Sequence, residues 1–118
     1  MEKEKIIKNI KRNMLENPNG FTLNKNGEML NLNKGYAVSI TNNINNDSDR
    51  LIEDLFKLVK KHKVKFYAIG GWFDNDSRNF YLDITLITNK LSRAIGLGLK
   101  HNQKALFSFE DLRCINLN

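Results

Sequence analysis

The chain has few of the residues that usually announce covalent staples, metal sites or catalysis: one cysteine and two histidines in 118 residues. A single cysteine excludes an internal disulfide, and Cys114 has no Cys or His neighbour at ligand spacing, so no metal site is expected and Cys114 reads as a small core residue. His62 lies inside Lys60-Lys-His-Lys63 and His101 lies far from it, with no motif tying either to a nucleophile. Both read as solvated histidines. Gly70, Gly71, Gly96 and Gly98 are not followed by Lys-Ser/Thr at phosphate-loop spacing. With no paired acid and base groups, the chain is expected to be a binder rather than an enzyme and to need no cofactor. No apolar run approaches the roughly 18 residues of a bilayer span, and Met1-Glu-Lys-Glu-Lys5 is charged with no apolar h-region behind it, so a cytoplasmic, non-membrane protein is expected.

What is abundant is positive charge and asparagine. Nineteen Lys and Arg against 13 Asp and Glu give a net charge of +6, which favours anionic partners: nucleic acid, nucleotides or an acidic protein surface. Asn is used so widely that individual asparagines carry little weight. The composition, 41% hydrophobic and 27% charged, is that of an ordinary folded domain. At this length, one domain over residues 1–118 is expected, with limited burial per residue that a partner subunit would supplement.

Ile6, Ile7, Ile10 and Met14 recur at helical spacing and predict a first helix over residues 2–17, ended by Pro18-Asn-Gly20. Phe21-Thr-Leu23 and Met29-Leu-Asn-Leu32 flank Asn26-Gly27, which predicts a tight hairpin. A third strand is expected at Tyr36–Ile40. Next comes a polar loop whose Asp47, Ser48 or Asp49 caps a helix running to His62 with Leu51, Ile52, Leu55, Leu58 and Val59 on one face. Two alternating strands follow. Val64, Phe66, Ala68, Gly70 and Trp72 share one face of the first, Phe80, Leu82, Ile84 and Leu86 one face of the second, and both faces are expected against helices. Thr88 is read as the cap of a third helix, and closing strands are expected at 105–107 and 113–117. The sum is an α+β domain with a largely antiparallel sheet and about three helices.

Asp74-Asn-Asp76 begins like a calcium loop, but position six is Asn79 rather than Gly and position twelve is Thr85 rather than Glu, so it reads as a turn. Trp72 and Phe80 flank that turn. They suit either cross-strand core packing or a flat apolar slot beside Arg78 that could take a base. Asn89 and Arg93 lie four apart at the predicted start of the third helix, where backbone N–H groups attract phosphate, and Arg113 on the closing strand is an alternative anion contact.

Gly70-Gly-Trp-Phe-Asp74, Tyr81-Leu-Asp83, Ser92-Arg-Ala94 and Asn102-Gln-Lys-Ala105 before an aromatic strand form an ordered series. That series, within residues 35–117, resembles the phage-encoded Thoeris anti-defence proteins of the first described type. Relatives carry Trp and Asp where this chain has Phe107 and Ser108. The resemblance implies a non-enzymatic sponge that sequesters glycocyclic ADP-ribose in an infected bacterial host, with cyclic oligonucleotides as a second ligand class. It also implies a homo-oligomer built from dimers, with pockets at subunit interfaces. The ligand-binding set expected is Trp72, Phe80, Asn89, Arg93, Asn102 and Arg113. A basic accessory protein of a mobile element, binding nucleic acid or a host defence protein, is the alternative.

Overall fold

The computed structural model describes residues 3–117. Helix α1 spans Lys3–Glu16 and α2 spans Ser48–His62, each with its apolar stripe turned inward: Ile10 and Met14 in the first, Leu51, Ile52 and Leu55 in the second. Asp47 caps α2 by accepting from the backbone N–H groups of Asp49 and Arg50, and Lys63 ends it in the left-handed conformation. Between and after them run β1 (Phe21–Asn24), β2 (Tyr36–Ser39), β3 (Ile44–Asn45), β4 (Ala68–Asp74) and β5 (Asn79–Thr88). Helix α3 (Leu91–Lys100), β6 (Ala105–Ser108) and β7 (Arg113–Asn116) complete the chain.

All pairings are antiparallel, in the order β1-β4-β5-β2-β6-β7, with the short β3 also on β5. The architecture is the expected α+β domain, with 3 helices on a 7-stranded sheet. One face of the sheet carries all the helices. Leu23, Ile69, Leu82 and Ile84 meet α1 and α2, while Val38 and Leu106 meet Ala94 of α3. Among the described residues, no helix lies over the opposite face.

Which side chains reach which face follows from register. The β4–β5 hairpin pairs Asp74 with Asn79, so Trp72 opposes Tyr81 and Phe73 opposes Phe80. Facing pairs alternate sides. Ile69/Ile84, Gly71/Leu82 and Phe73/Phe80 turn toward the helices, leaving Ala68/Thr85, Gly70/Asp83 and Trp72/Tyr81 on the open face. The expected helix-side packing of Phe80, Leu82 and Ile84 is therefore present. The β4 expectation is reversed: Ala68, Gly70 and Trp72 face away from the helices, and Phe66, before the strand, is 86% exposed.

Three further expectations are corrected. Met29 forms only an isolated bridge to Leu23, because Asn24 Oδ1 accepts from the N–H groups of Asn26 and Glu28 and rounds the chain into a wider turn, with only Gly27 of the Asn-Gly pair at positive φ. Helix α3 begins after Lys90, and Thr88 Oγ1 accepts from the Lys90 N–H instead of capping the helix. Cys114, on the edge strand β7, is exposed rather than in the core. The helical part of the sequence is otherwise as its periodicity predicts.

Gly71 illustrates how tightly β1 is fitted. It opposes Phe21, and a β-carbon there would overlap the Phe21 ring, which lies across the bare backbone. Gly71→Ala is expected to destabilise the domain by about 1–3 kcal/mol through forced displacement of that ring. Chemical denaturation of parent and variant measures it, and Phe21→Ala made together with Gly71→Ala should add less than the two single changes.

Candidate ligand-binding cleft

The helix-free face is concave and encloses a cleft of about 780 Å³. Its floor is the open side of the central strands: Gly70, Trp72, Tyr81, Asp83, Thr85 and Ser39. One wall is the Met29–Leu32 segment beyond β1; the other is the α3–β6 turn with Phe107 and Cys114 of β6 and β7. The volume falls in the range of small-molecule sites, roughly 300–1,000 Å³.

The aromatic element is Trp72 with Tyr81. Their rings stack across the strand pair with centroids 4.8 Å apart and planes inclined by 3°, while Trp72 stays 44% exposed. A large aromatic held flat by a neighbour yet open to solvent offers a stacking surface without needing to be ordered on binding. Phe107, edge-on to Phe109 at 5.4 Å, adds an apolar patch on the far wall.

The polar element centres on Asp83. Its residue exposure is 4%, and Oδ1 accepts from the Thr41 hydroxyl (2.6 Å) and the Asn43 N–H (2.7 Å). These bonds fasten the loop between β2 and β3, where Asn43 Nδ2 also donates to the Leu51 and Leu82 carbonyls and the Ile84 N–H donates to Thr41 Oγ1. Oδ2 has no protein partner among the described residues. No buried side-chain oxygen or nitrogen lacks a partner there, so Oδ2 reaches solvent from the cleft floor. Burial pushes the carboxyl up to about 6, against the opposing effect of the bonds from Asn43 and Thr41.

The rim at the end of α3 is a Schellman turn. The Gln103 N–H donates to the Gly98 carbonyl and the Asn102 N–H to Leu99, with Asn102 at φ 57°. The Gln103 amide then donates to the Thr41 carbonyl at 3.2 Å, which joins this turn to the loop that holds Asp83.

Of the six residues expected to bind ligand, Trp72 and Asn102 line this cleft. Phe80 does not: it packs edge-on against Phe73 at 5.0 Å, beside the core under α1 and α2, because the four-residue loop 75–78 pairs Trp72 with Tyr81 instead. The Trp72–Phe80 slot is thus corrected to a Trp72–Tyr81 stack. Asn89 is exposed just before α3 and does not line the cleft; Arg93 is exposed within α3, on the helix side of the sheet. Arg113 pairs with Ser108 on that same side, one residue out of phase with the cleft-facing Phe107/Cys114 pair, and lies 3.9 Å from Asp111. The cleft and the two arginines are on opposite faces of one chain.

Tyr81, Asp83, Thr85 and Gln103 are cleft residues that the sequence did not single out as ligand-binding, although Tyr81, Asp83 and Gln103 lie in the motifs quoted above. A signal for the first three exists: within an otherwise apolar strand they occupy alternate positions, and Asp is disfavoured in strand interiors. Compared with protein-family models, with curated proteins and with solved structures, the chain matches none.

The buried carboxyl makes stability pH-dependent with a definite sign. Asp83 holds its proton more tightly folded than unfolded, so its contribution is most favourable below pH 3.8, declines as pH rises to about 6, and is flat above. Asp83→Asn keeps an acceptor for Thr41 and Asn43 and removes the titration. Urea midpoints of parent and variant between pH 4 and pH 7 should therefore diverge in favour of the variant as pH rises; parallel curves would contradict the assignment.

Proposed function

We propose that this chain is a non-enzymatic sponge that binds a glycocyclic ADP-ribose immune signal intact and so blocks Thoeris defence in an infected bacterium. The observation that carries the reading is the Trp72–Tyr81 platform, set in a cleft of about 780 Å³ beside hydrogen-bonding groups on the floor. A purine can stack there while its sugars reach the polar floor. The net charge of +6 suits an anionic ligand, and Lys104 stands at the rim. Sequestration requires no proton transfer. It requires only that sites outnumber messenger and bind it more tightly than the effector does.

In this proposal the chain works as a homo-oligomer assembled from dimers. Arg93 and Arg113 lie across the sheet from their own cleft, so they meet a ligand only in the pocket of a neighbouring subunit, where a guanidinium fork suits a pyrophosphate. Cyclic oligonucleotides are the proposed second ligand class, at a separate site.

Incubation with glycocyclic ADP-ribose, removal of free ligand and heating distinguishes the function classes. Intact messenger released from denatured protein is expected; degraded messenger would make the chain an enzyme, and no retention would favour the nucleic-acid or host-protein reading. Trp72→Ala is expected to weaken messenger binding by roughly 1–3 kcal/mol, the scale of base–aromatic stacking. Arg93→Lys should lose affinity at unchanged net charge, measured calorimetrically at two salt concentrations. Equal affinities for parent and Arg93→Lys, or a monomer by light scattering at micromolar concentration, would remove the arginine from the site.

A further inference from the structure

Asp83 is an unusual group to find at the floor of a cleft offered to an anion. Its residue is 96% buried by its 4% exposure, Oδ1 is fully engaged by Thr41 and Asn43, and Oδ2 is left open toward the cleft. If the carboxyl served only to fasten the loop, a residue with a single acceptor would do. Gly70 opposite contributes no side chain of its own, and the Thr85 hydroxyl occupies the place a β-carbon would take.

Spacing along β5 relates this oxygen to the aromatic platform. Tyr81 and Asp83 are two residues apart on one face of a strand, a separation of roughly 7 Å. That is about the reach from the centre of a stacked purine to its own amino group or to the attached sugar. A phosphate at the same place would meet a carboxylate that has no salt-bridge partner among the described residues.

We propose that Asp83 is a ligand-binding residue whose free Oδ2 accepts a hydrogen bond from a neutral donor, a sugar hydroxyl or an exocyclic amino group, of a nucleotide stacked on Trp72. The same oxygen turns the phosphates outward, toward Lys104 at the rim. This deepens the reading given above, since it names which part of a nucleotide enters first. A donor bonded to Oδ2 favours the ionised carboxyl, so binding weakens once Asp83 is protonated. The other titratable side chains lining the cleft are Tyr81, Lys104 and Cys114. The loop packed against Asp83 contributes only Thr41, Asn42 and Asn43, and β4 contributes Gly70.

Calorimetric titrations of glycocyclic ADP-ribose and of adenosine into the parent chain and Asp83→Asn, at pH 7.5 and pH 5, test this. Asp83→Asn presents an N–H where Oδ2 stood, and is expected to bind both probes at least tenfold more weakly at pH 7.5. The parent should lose about tenfold between pH 7.5 and pH 5, given a carboxyl near 6, and the variant should not. Parent-like binding by a folded Asp83→Asn would overturn the role of Asp83 and leave the sponge reading standing. Adenosine binding that depends on Asp83, with no binding of the cyclic messenger, would keep the role and overturn the sponge. No binding of either probe to the parent would overturn both. Among adenosine analogues, selective loss for purine riboside identifies the amino group as the donor, and loss for 2′,3′-dideoxyadenosine the sugar hydroxyls; undiminished binding of both would also overturn the proposal.

Discussion

The two hydrogen bonds into Asp83 Oδ1 fasten the loop between β2 and β3 to the central strand β5. Thr41 and Asn43 are the donors, and each is engaged again: Thr41 through its carbonyl to Gln103 and its Oγ1 to the Ile84 N–H, Asn43 through its amide to Leu51 and Leu82. One carboxyl thus connects the central strand, the start of α2 and the turn after α3. Hydrogen bonds to a charged group contribute roughly 1.5–3 kcal/mol each, which offsets part of the cost of burying the carboxylate. Loss of either donor would leave that charge short of a partner inside the domain. The floor of the cleft and the fastening of the loop are therefore the same chemistry.

Placing every helix on one face makes the other face available, and two adjacent glycines mark the difference between the sides. Gly71 points toward the helices, where the Phe21 ring fills the space its missing side chain leaves; Gly70 points to the cleft side, where the Thr85 hydroxyl takes that space. The covered face is stabilised by apolar burial, with Leu23, Leu51, Leu55, Ile69, Leu82 and Ile84 at or near zero exposure. The open face is instead held by stacking and hydrogen bonds. Such a face is shaped by groups that also suit a polar, planar ligand.

Period and capping made most elements legible. The apolar stripes of α1 and α2, the cap at Asp47 and most of the antiparallel strands follow from local rules; the exceptions are Met29–Leu32, which forms only a bridge, and β3, which falls within the expected polar loop. What local rules did not supply was parity. Trp72 and Phe80 flank the same turn, but Asp74 pairs with Asn79, and the two aromatics emerge on opposite faces. Asp74 accepts from the Asp76 N–H and the Ser77 hydroxyl, and Arg78 turns at φ 61°, which makes the loop four residues long. A one-residue difference in register moves a side chain through the sheet. The same parity separates Arg113 from Cys114, and the choice of face for α3, a tertiary matter, separates Arg93 from Trp72.

That separation gives charge two roles at two distances. The excess of Lys and Arg sets a positive field that acts over about a Debye length, some 8–10 Å at physiological salt, and it attracts any anion regardless of shape. Within the cleft the local sign is different: the buried floor carries a carboxyl, and the basic side chain among the lining residues, Lys104, belongs to the rim. A diffuse polyanion gains from the field but cannot present its phosphates to that floor. A compact nucleotide gains from both if its phosphates stay outside and its base and sugars go in. The field alone therefore does not separate nucleic acid from a small messenger; under the proposed function that distinction falls to Trp72, Tyr81 and Asp83 rather than to the lysines.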